Sequence, residues 1–182
     1  MLRMAGETDD SFTSERVVAD FGCGPRGSLV WAEKARVRIG IDVLADSYVR
    51  FGIPSQNMAY IVSTEASIPL PSRYVDIMFT MNSMDHVANL SQMCDEIHRV
   101  IAPGGTLIAS FNLNEPATVE EPQTLTMDIL WARLLSRFDV HAKRLGARNV
   151  SGEGSTYKYM FTEGPPVKPD DPVYLWVRGT KK

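Results

Sequence analysis

The chain has 182 residues, 44% hydrophobic and 23% charged, a length and a usage that fit one soluble domain with a single core and exclude a disordered or fibrous class. A formal net charge of -3 provides no broad positive field, so nucleic-acid binding is disfavoured and a small-molecule partner is expected. No apolar run approaches the roughly 20 residues of a membrane helix, and Met1 to Ser14 lacks the apolar centre of a signal peptide, so a cytoplasmic protein is expected.

Residues 1–15 are polar and mixed and read as a flexible arm ahead of one domain over 16–182. Arg16 to Phe21 is a short apolar run ending in glycines, as expected of a strand buried on both faces of a parallel sheet. Ser28 to Ala35 has the length of a modest helix, with Leu29, Val30 and Ala32 available to pack, and Val37 to Ile41 reads as a second strand. A helix over Ala45 to Phe51, a break at Gly52 to Pro54 and a third strand near Tyr60 to Ser63 repeat the unit. Beyond the loop marked by Pro69 and Pro71, Tyr74 to Met81 is a strongly apolar fourth strand. Leu90, Met93, Cys94, Ile97, Val100 and Ile101 then share one face of a helix, which is a core stripe. Pro103-Gly104-Gly105 stops that helix before a fifth strand, Thr106 to Ser110. A helical rhythm from Leu125 to Phe138 precedes two closing strands, Val140 to Leu145 and Val173 to Gly179, separated by a Gly- and Pro-rich stretch over Ser151 to Pro172. Strands alternating with helices predict an α/β fold built on a parallel sheet.

Gly22-Cys23-Gly24-Pro25-Arg26-Gly27 matches G-x-G-x-x-G after a strand and before an expected helix. Glycines there let backbone approach a ligand, and free N–H groups at a helix start attract anionic or polar atoms. Asp42, ending the second strand, is placed to accept from ribose hydroxyls. Turn and acid together point to an adenosine-bearing cofactor, either a nicotinamide dinucleotide or S-adenosylmethionine. Asp20 separates the two, because its carboxylate repels a pyrophosphate and favours an ammonium or sulfonium. Cys23 sits where the turn wants a small side chain, and it and Cys94 lack metal-ligand spacing, so neither a disulfide nor a metal site is expected.

Asp20-Phe21-Gly22-Cys23-Gly24, Asp42, Ile68-Pro69-Leu70-Pro71, Val75-Asp76-Ile77-Met78, Asn82 to Val87 and Arg99 to Leu107 together resemble the class I S-adenosylmethionine-dependent methyltransferases. The resemblance covers residues 16–110. It implies a Rossmann-like doubly wound sheet, mostly parallel, of about seven strands with the last antiparallel. It also implies S-adenosylmethionine as cofactor, with Asp20, Gly22, Cys23 and Gly24 at its methionine end and Asn82 and Ser83 lining that side. Asp42 would take the ribose, and Thr64, Glu65 and Ala66 the adenine. Three departures stand out. Pro25-Arg26 delay the third glycine and would bring Arg26 near the cofactor carboxylate. Glu65 stands beside, not at, the position where an acid is often found. The amino terminus is too short for a long covering helix, which leaves that task to residues 151–172.

Methyl transfer is an in-line displacement that needs alignment and, for some acceptors, a base. His86, just past the fourth strand, is the candidate base, or it simply starts the next helix. His98 reads as a surface residue and His141 as structural. The cluster Tyr157 to Phe161 reads either as an acceptor contact on a lid or as an extra strand on the sheet. Methyl transfer to a small-molecule acceptor is the expected activity, with an NAD(P)-dependent oxidoreductase and a non-catalytic cofactor-binding protein as alternatives. Asn82-Ser83-Met84-Asp85 lacks the Asn-Pro-Pro-Tyr pattern of nucleic-acid amino methylases.

Overall fold

In the computed structural model, which describes residues 1–48, 50, 57–148, 158–168 and 170–182, the strands in chain order are β1 (Val17–Phe21), β2 (Val37–Asp42), β3 (Ala59–Val62), β4 (Val75–Met81), β5 (Ile101–Leu113), β6 (Phe138–Ala147) and β7 (Val173–Lys181). They form one sheet in the order β3-β2-β1-β4-β5-β7-β6. β1 pairs in parallel with β2 and β4, β2 with β3, and β4 with β5. β7 alone runs against both of its neighbours. This is the Rossmann-like arrangement expected of the family resemblance.

Side chains alternate across each strand, and here both faces are covered, so one strand feeds two cores. Val17, Ala19 and Phe21 of β1, Leu107, Ala109 and Phe111 of β5, and Val173, Leu175 and Val177 of β7 point to one face. There they meet α3 (Leu90–Val100) and α4 (Met127–Arg133). Val18, Ile77, Phe79 and Ile108 point to the other face and pack with Ala5 and Leu29. Asn89 caps α3, its Oδ1 accepting from the Gln92 N–H at 3.1 Å. The predicted stripe Leu90, Met93, Cys94, Ile97 and Val100 is the buried one.

Several helices are shorter than their sequence pattern suggests. Ser28 to Ala35 forms successive tight turns and no α-helix, with Val30 donating to Gly27, Ala32 to Leu29 and Ala35 to Ala32. The reason is reach. The crossover must return along about five strand residues at roughly 3.3 Å each, while eight helical residues rise only about 12 Å. Leu29 and Ala32 are still buried as expected, but Val30 is exposed. Of the helix expected over 45–51, the described part is α2 (Ala45–Tyr48); residues 49 and 51 and the break at 52–54 lie outside the described residues. The helix expected over 125–138 breaks at Leu134 (φ -131°, ψ -60°) into α4 and a 3-10 turn, Leu135–Arg137. Pro103-Gly104-Gly105 does not separate helix from strand. α3 already ends at Val100, and these residues form an irregularity inside β5, with Gly104 at φ 72°.

Residues 1–15, expected as a flexible arm, lie against the sheet. α1 (Leu2–Ala5) buries Ala5, the Met4 carbonyl accepts from Trp176 Nε1 at 2.8 Å, and Arg178 donates to the Ala5 carbonyl and to Glu7. Trp31 stacks on Phe12 and meets Phe79 edge-on. The segment therefore covers a face that the missing helix after the glycine turn leaves open. No helix among the described residues is long and apolar enough to cross a membrane.

Arg99, at the end of α3, holds the loop before β4. Its guanidinium forms a two-pronged pair with Glu96 and donates to the carbonyls of Ile68 and Leu70, while Glu96 also accepts from the Ile68 N–H. Arg99→Ala removes four partners at once, the Ser72 hydroxyl among them, and should destabilise the fold by about 2 kcal/mol in chemical denaturation. Arg99→Lys should recover little, because a single ammonium does not reproduce the fork.

Candidate active site

The order β3-β2-β1-β4 reverses direction between β1 and β4, and ligands of such sheets bind beyond the carboxyl ends of the strands at this point. A cleft of about 620 Å³ opens there, within the range of small-molecule sites. Gly22, Gly24, Asp42, Thr64, Glu65, Asn82, Ser83 and His86 all line it. Four loops that are remote in sequence thus meet as the strand order requires.

The glycine turn works by making space. Gly22, Gly24 and Gly27 have φ of 73°, 60° and 66°, a region that side chains resist. A Cβ on Gly22 would lie 2.2 Å from Ser83 Cβ, because Ser83 closes against the turn and donates to the Phe21 carbonyl at 2.9 Å. The first three N–H groups of the turn are already engaged. Gly22 and Cys23 donate to the Ile41 carbonyl, and Gly24 donates to Asp42 Oδ2 at 3.0 Å. No α-helix follows the turn, and these three donors are not free for a ligand.

Asp42 holds the end of β2 to the turn and also accepts from the Leu44 N–H at 2.9 Å through Oδ1. The Tyr48 hydroxyl also donates to Asp42, which leaves the carboxylate, with four lone pairs in all, capacity for a further donor. Thr64 folds the next loop back on itself, its Oγ1 accepting from the N–H groups of Ala66 and Ser67. Glu65 reaches the cleft, but Ala66 is not among the described lining residues. Cys23 turns its thiol away from the cleft toward Gly40, whose hydrogen marks the closest approach, and burial pushes that thiol well above its usual range. Arg26 is exposed and outside the lining, so it brings no charge to the cleft.

Beneath this surface lie polar atoms without partners. Asp20 Oδ1, Ser63 Oγ and Asn82 Oδ1 are buried with no hydrogen-bond partner among the described residues. A buried acceptor left unpaired costs about 1–3 kcal/mol, more if charged, and such atoms mark places that a ligand completes. Burial pushes Asp20 from 3.8 up to about 7, the nearby Ser28 hydroxyl offsetting part of the rise and Asp42 adding to it. Asp42, Glu65 and Glu120 are in the lining, and no Lys or Arg is among the described lining residues. The cleft therefore suits a cationic ligand.

At the other end, His86 Nδ1 lies 3.0 Å from the Glu120 carbonyl, and its Nε2 faces Asp85 and Glu121 at 3.8 Å each. His86 is neither packed against a helix nor part of one; it stands in the loop between β4 and α3. Val119, Glu120 and Pro122 close this end. Sequence reasoning missed them, and their signal was the long irregular connection after β5, since such loops are commonly functional. Residues 159–161 do not reach the cleft. Tyr159, Met160 and Phe161 pack with Tyr174 and Trp176 on the sheet face, without forming a strand, and Tyr157 lies outside the described residues. His98 is half-buried and meets Phe138 edge-on, while His141 is exposed at an irregularity of β6.

A strand-order reversal, a glycine turn and an acid at the end of β2 define a nucleoside-binding α/β protein. A family model described as a methyltransferase domain matches residues 19–109, half of the chain. The chain belongs to this family, the class I S-adenosylmethionine-dependent methyltransferases, whose cofactor is S-adenosylmethionine. A Mycolicibacterium smegmatis protein bearing the name probable S-adenosylmethionine-dependent methyltransferase is 31% identical over 98 residues, which are 52% of this chain and 37% of that protein. The chain thus matches little more than a third of that relative's length. A methyltransferase of Mesorhizobium loti shares the fold with a TM-score of 0.66 at 16% identity, covering 93% of this chain and 92% of that one. The YcgJ protein of Bacillus subtilis does so with a TM-score of 0.68 at 13% identity, covering 100% and 97%.

The raised Asp20 ties stability to pH. From pH 3.8 to about 7 the unfolded chain is ionised at Asp20 while the folded one keeps its proton, so stability falls as pH rises through this window. Above it the full penalty, up to about 4 kcal/mol at 1.4 kcal/mol per unit, persists. Asp20→Asn should therefore raise the melting temperature at pH 8 and change it little at pH 3.5, while weakening binding of the cationic cofactor. Equal melting shifts at both pH values would show that Asp20 is not held in its protonated form.

Proposed function

We propose that residues 16–182 act as one domain that transfers a methyl group from S-adenosylmethionine to a small-molecule acceptor. The observation that carries this reading is the set of unpartnered acceptors, Asp20 Oδ1, Ser63 Oγ and Asn82 Oδ1, beneath a cleft lined by acids. S-adenosylmethionine supplies an activated methyl group on a sulfonium. Asn82 and the buried Asp20 receive the ammonium of its methionine end, directly or through water. Asp42 accepts from the ribose, and Leu44, Thr64 and Glu65 border the adenine. Gly22 keeps the floor open for backbone-close contact, and Cys23 and Ala66 support these loops from behind.

The same features disfavour a nicotinamide dinucleotide. A pyrophosphate would find the N–H groups of Gly22, Cys23 and Gly24 engaged, and would meet carboxylates but no Lys or Arg in the described lining. A small acceptor fits the enclosed, acidic space better than a polyanionic nucleic acid. The acceptor enters beside His86, between the loop after β4 and the loop carrying Val119 and Glu120.

Isothermal titration of the folded chain should show one site for S-adenosylmethionine and no heat with NADH. Asp42→Ala should weaken binding by about 10- to 100-fold, equivalent to about 1.4–2.8 kcal/mol, with its melting curve confirming the fold. NADH binding without S-adenosylmethionine binding would overturn the proposal.

A further inference from the structure

The cluster at the acceptor end has a feature that methyl transfer alone does not require. Asp85 Oδ1, His86 Nε2 and Glu121 Oε1 face one another, with one ligand-type atom from each residue all within 4.8 Å. The side chain of Asp85 is 5% exposed, and neither of its oxygens has a hydrogen-bond partner among the described residues. A carbonyl only accepts, so the contact of His86 Nδ1 with the Glu120 carbonyl fixes the proton on Nδ1. Nε2 then presents a lone pair to two carboxylates. In this tautomer of the neutral ring, three groups able to donate an electron pair converge on one point.

We infer that Asp85, His86 and Glu121 bind a divalent cation of the zinc or manganese type at the acceptor end of the cleft. One imidazole and two carboxylates form a mixed nitrogen and oxygen set suited to these ions, and their two negative charges match a dication. Metal bonds of about 2.0–2.2 Å place tetrahedral ligands roughly 3.3–3.5 Å apart, so the observed 3.8 Å pairs need to close only slightly. Glu121 is the partner with room to move, its side chain being 34% exposed. The Nδ1–H to carbonyl bond is the kind of support that orients a metal-binding histidine.

The two loops are joined before any ion arrives. The Gln123 N–H donates to the Asp85 carbonyl, and the Gln123 side chain donates to the carbonyls of Val87 and Ala88. Thr118 and Glu121 exchange hydrogen bonds that shape the tip of the second loop. The charges facing Asp85 are His86, Glu121 and Arg148, and the Arg148 guanidinium pairs with Glu115.

His86 lines the cleft, so an ion held by this cluster would lie at the edge of the cleft. The acceptor class this implies is a small molecule with a hydroxyl, preferably beside a second oxygen donor. On the methyl-transfer reading, the bound hydroxyl gives its proton to water, its oxygen forms the bond to the methyl carbon, and the carbon–sulfur electron pair stays on sulfur. Cation binding stands on geometry alone; only this role rests on the proposed function.

The test uses the full chain stripped of metal. Titration with Zn²⁺ by calorimetry and with Mn²⁺ by electron paramagnetic resonance should each show one site. Asp85→Asn, Glu121→Gln and His86→Ala should each weaken it at least tenfold, with S-adenosylmethionine binding measured in the same samples. Glu121→Gln, at a partly exposed position, keeps the test valid if Asp85→Asn fails to fold. Absence of a site, or a site indifferent to Glu121→Gln and His86→Ala, overturns the inference. Metal binding without S-adenosylmethionine binding sustains it and instead refutes the proposed function.

Discussion

The end of β1 imposes the constraint on which the site depends: a carboxylate, Asp20, almost fully removed from water with one oxygen unpaired. A buried charge without a partner is among the costliest arrangements in a fold. Here the cost is met in part by holding a proton and in part by the Ser28 hydroxyl. A ligand that brings positive charge to this end of the sheet relieves it more fully. Asp42 adds to the same field, so the two acids reinforce each other's demand for a cation.

Much of this was legible in the sequence. The strands could be read because a parallel sheet buried on both faces needs largely apolar runs, as Val17 to Phe21 and Val75 to Met81 supply around Asp20, Asp76 and Thr80. Gly22, Gly24, Asp42, Asn82 and Ser83 could be placed because they sit at strand ends, where topology alone brings them to one edge. Cys23 and Ala66 lie in the same loops but are not among the described lining residues. Helices were over-read. Apolar spacing at Ser28 to Ala35 and Leu125 to Phe138 fits a helix locally, but the span each connection must cover decides whether one forms.

The acceptor end was hardest to foresee, since it joins residues 85 and 86 to 121 across the whole of α3 and β5. Nothing in their local pattern announces that meeting. Hydrogen bonds from Gln123 to the loop after β4 create it, and only folded geometry reveals them. The amino-terminal segment shows the same dependence on context. Its polar composition suggests a loose tail, yet the face exposed by the shortened crossover after β1 gives Ala5 and Phe12 apolar neighbours.

The engaged N–H groups of the glycine turn carry a consequence for selectivity among nucleosides. Adenine nucleotides share adenine and ribose with S-adenosylmethionine and differ in the charge attached at the far carbon. A turn whose first three donors are committed to Ile41 and Asp42 offers phosphate oxygens less to bind, and the acids around it repel them. On the proposed binding mode, part of the discrimination between adenosines lies in hydrogen bonds that the start of the turn has made before the ligand arrives.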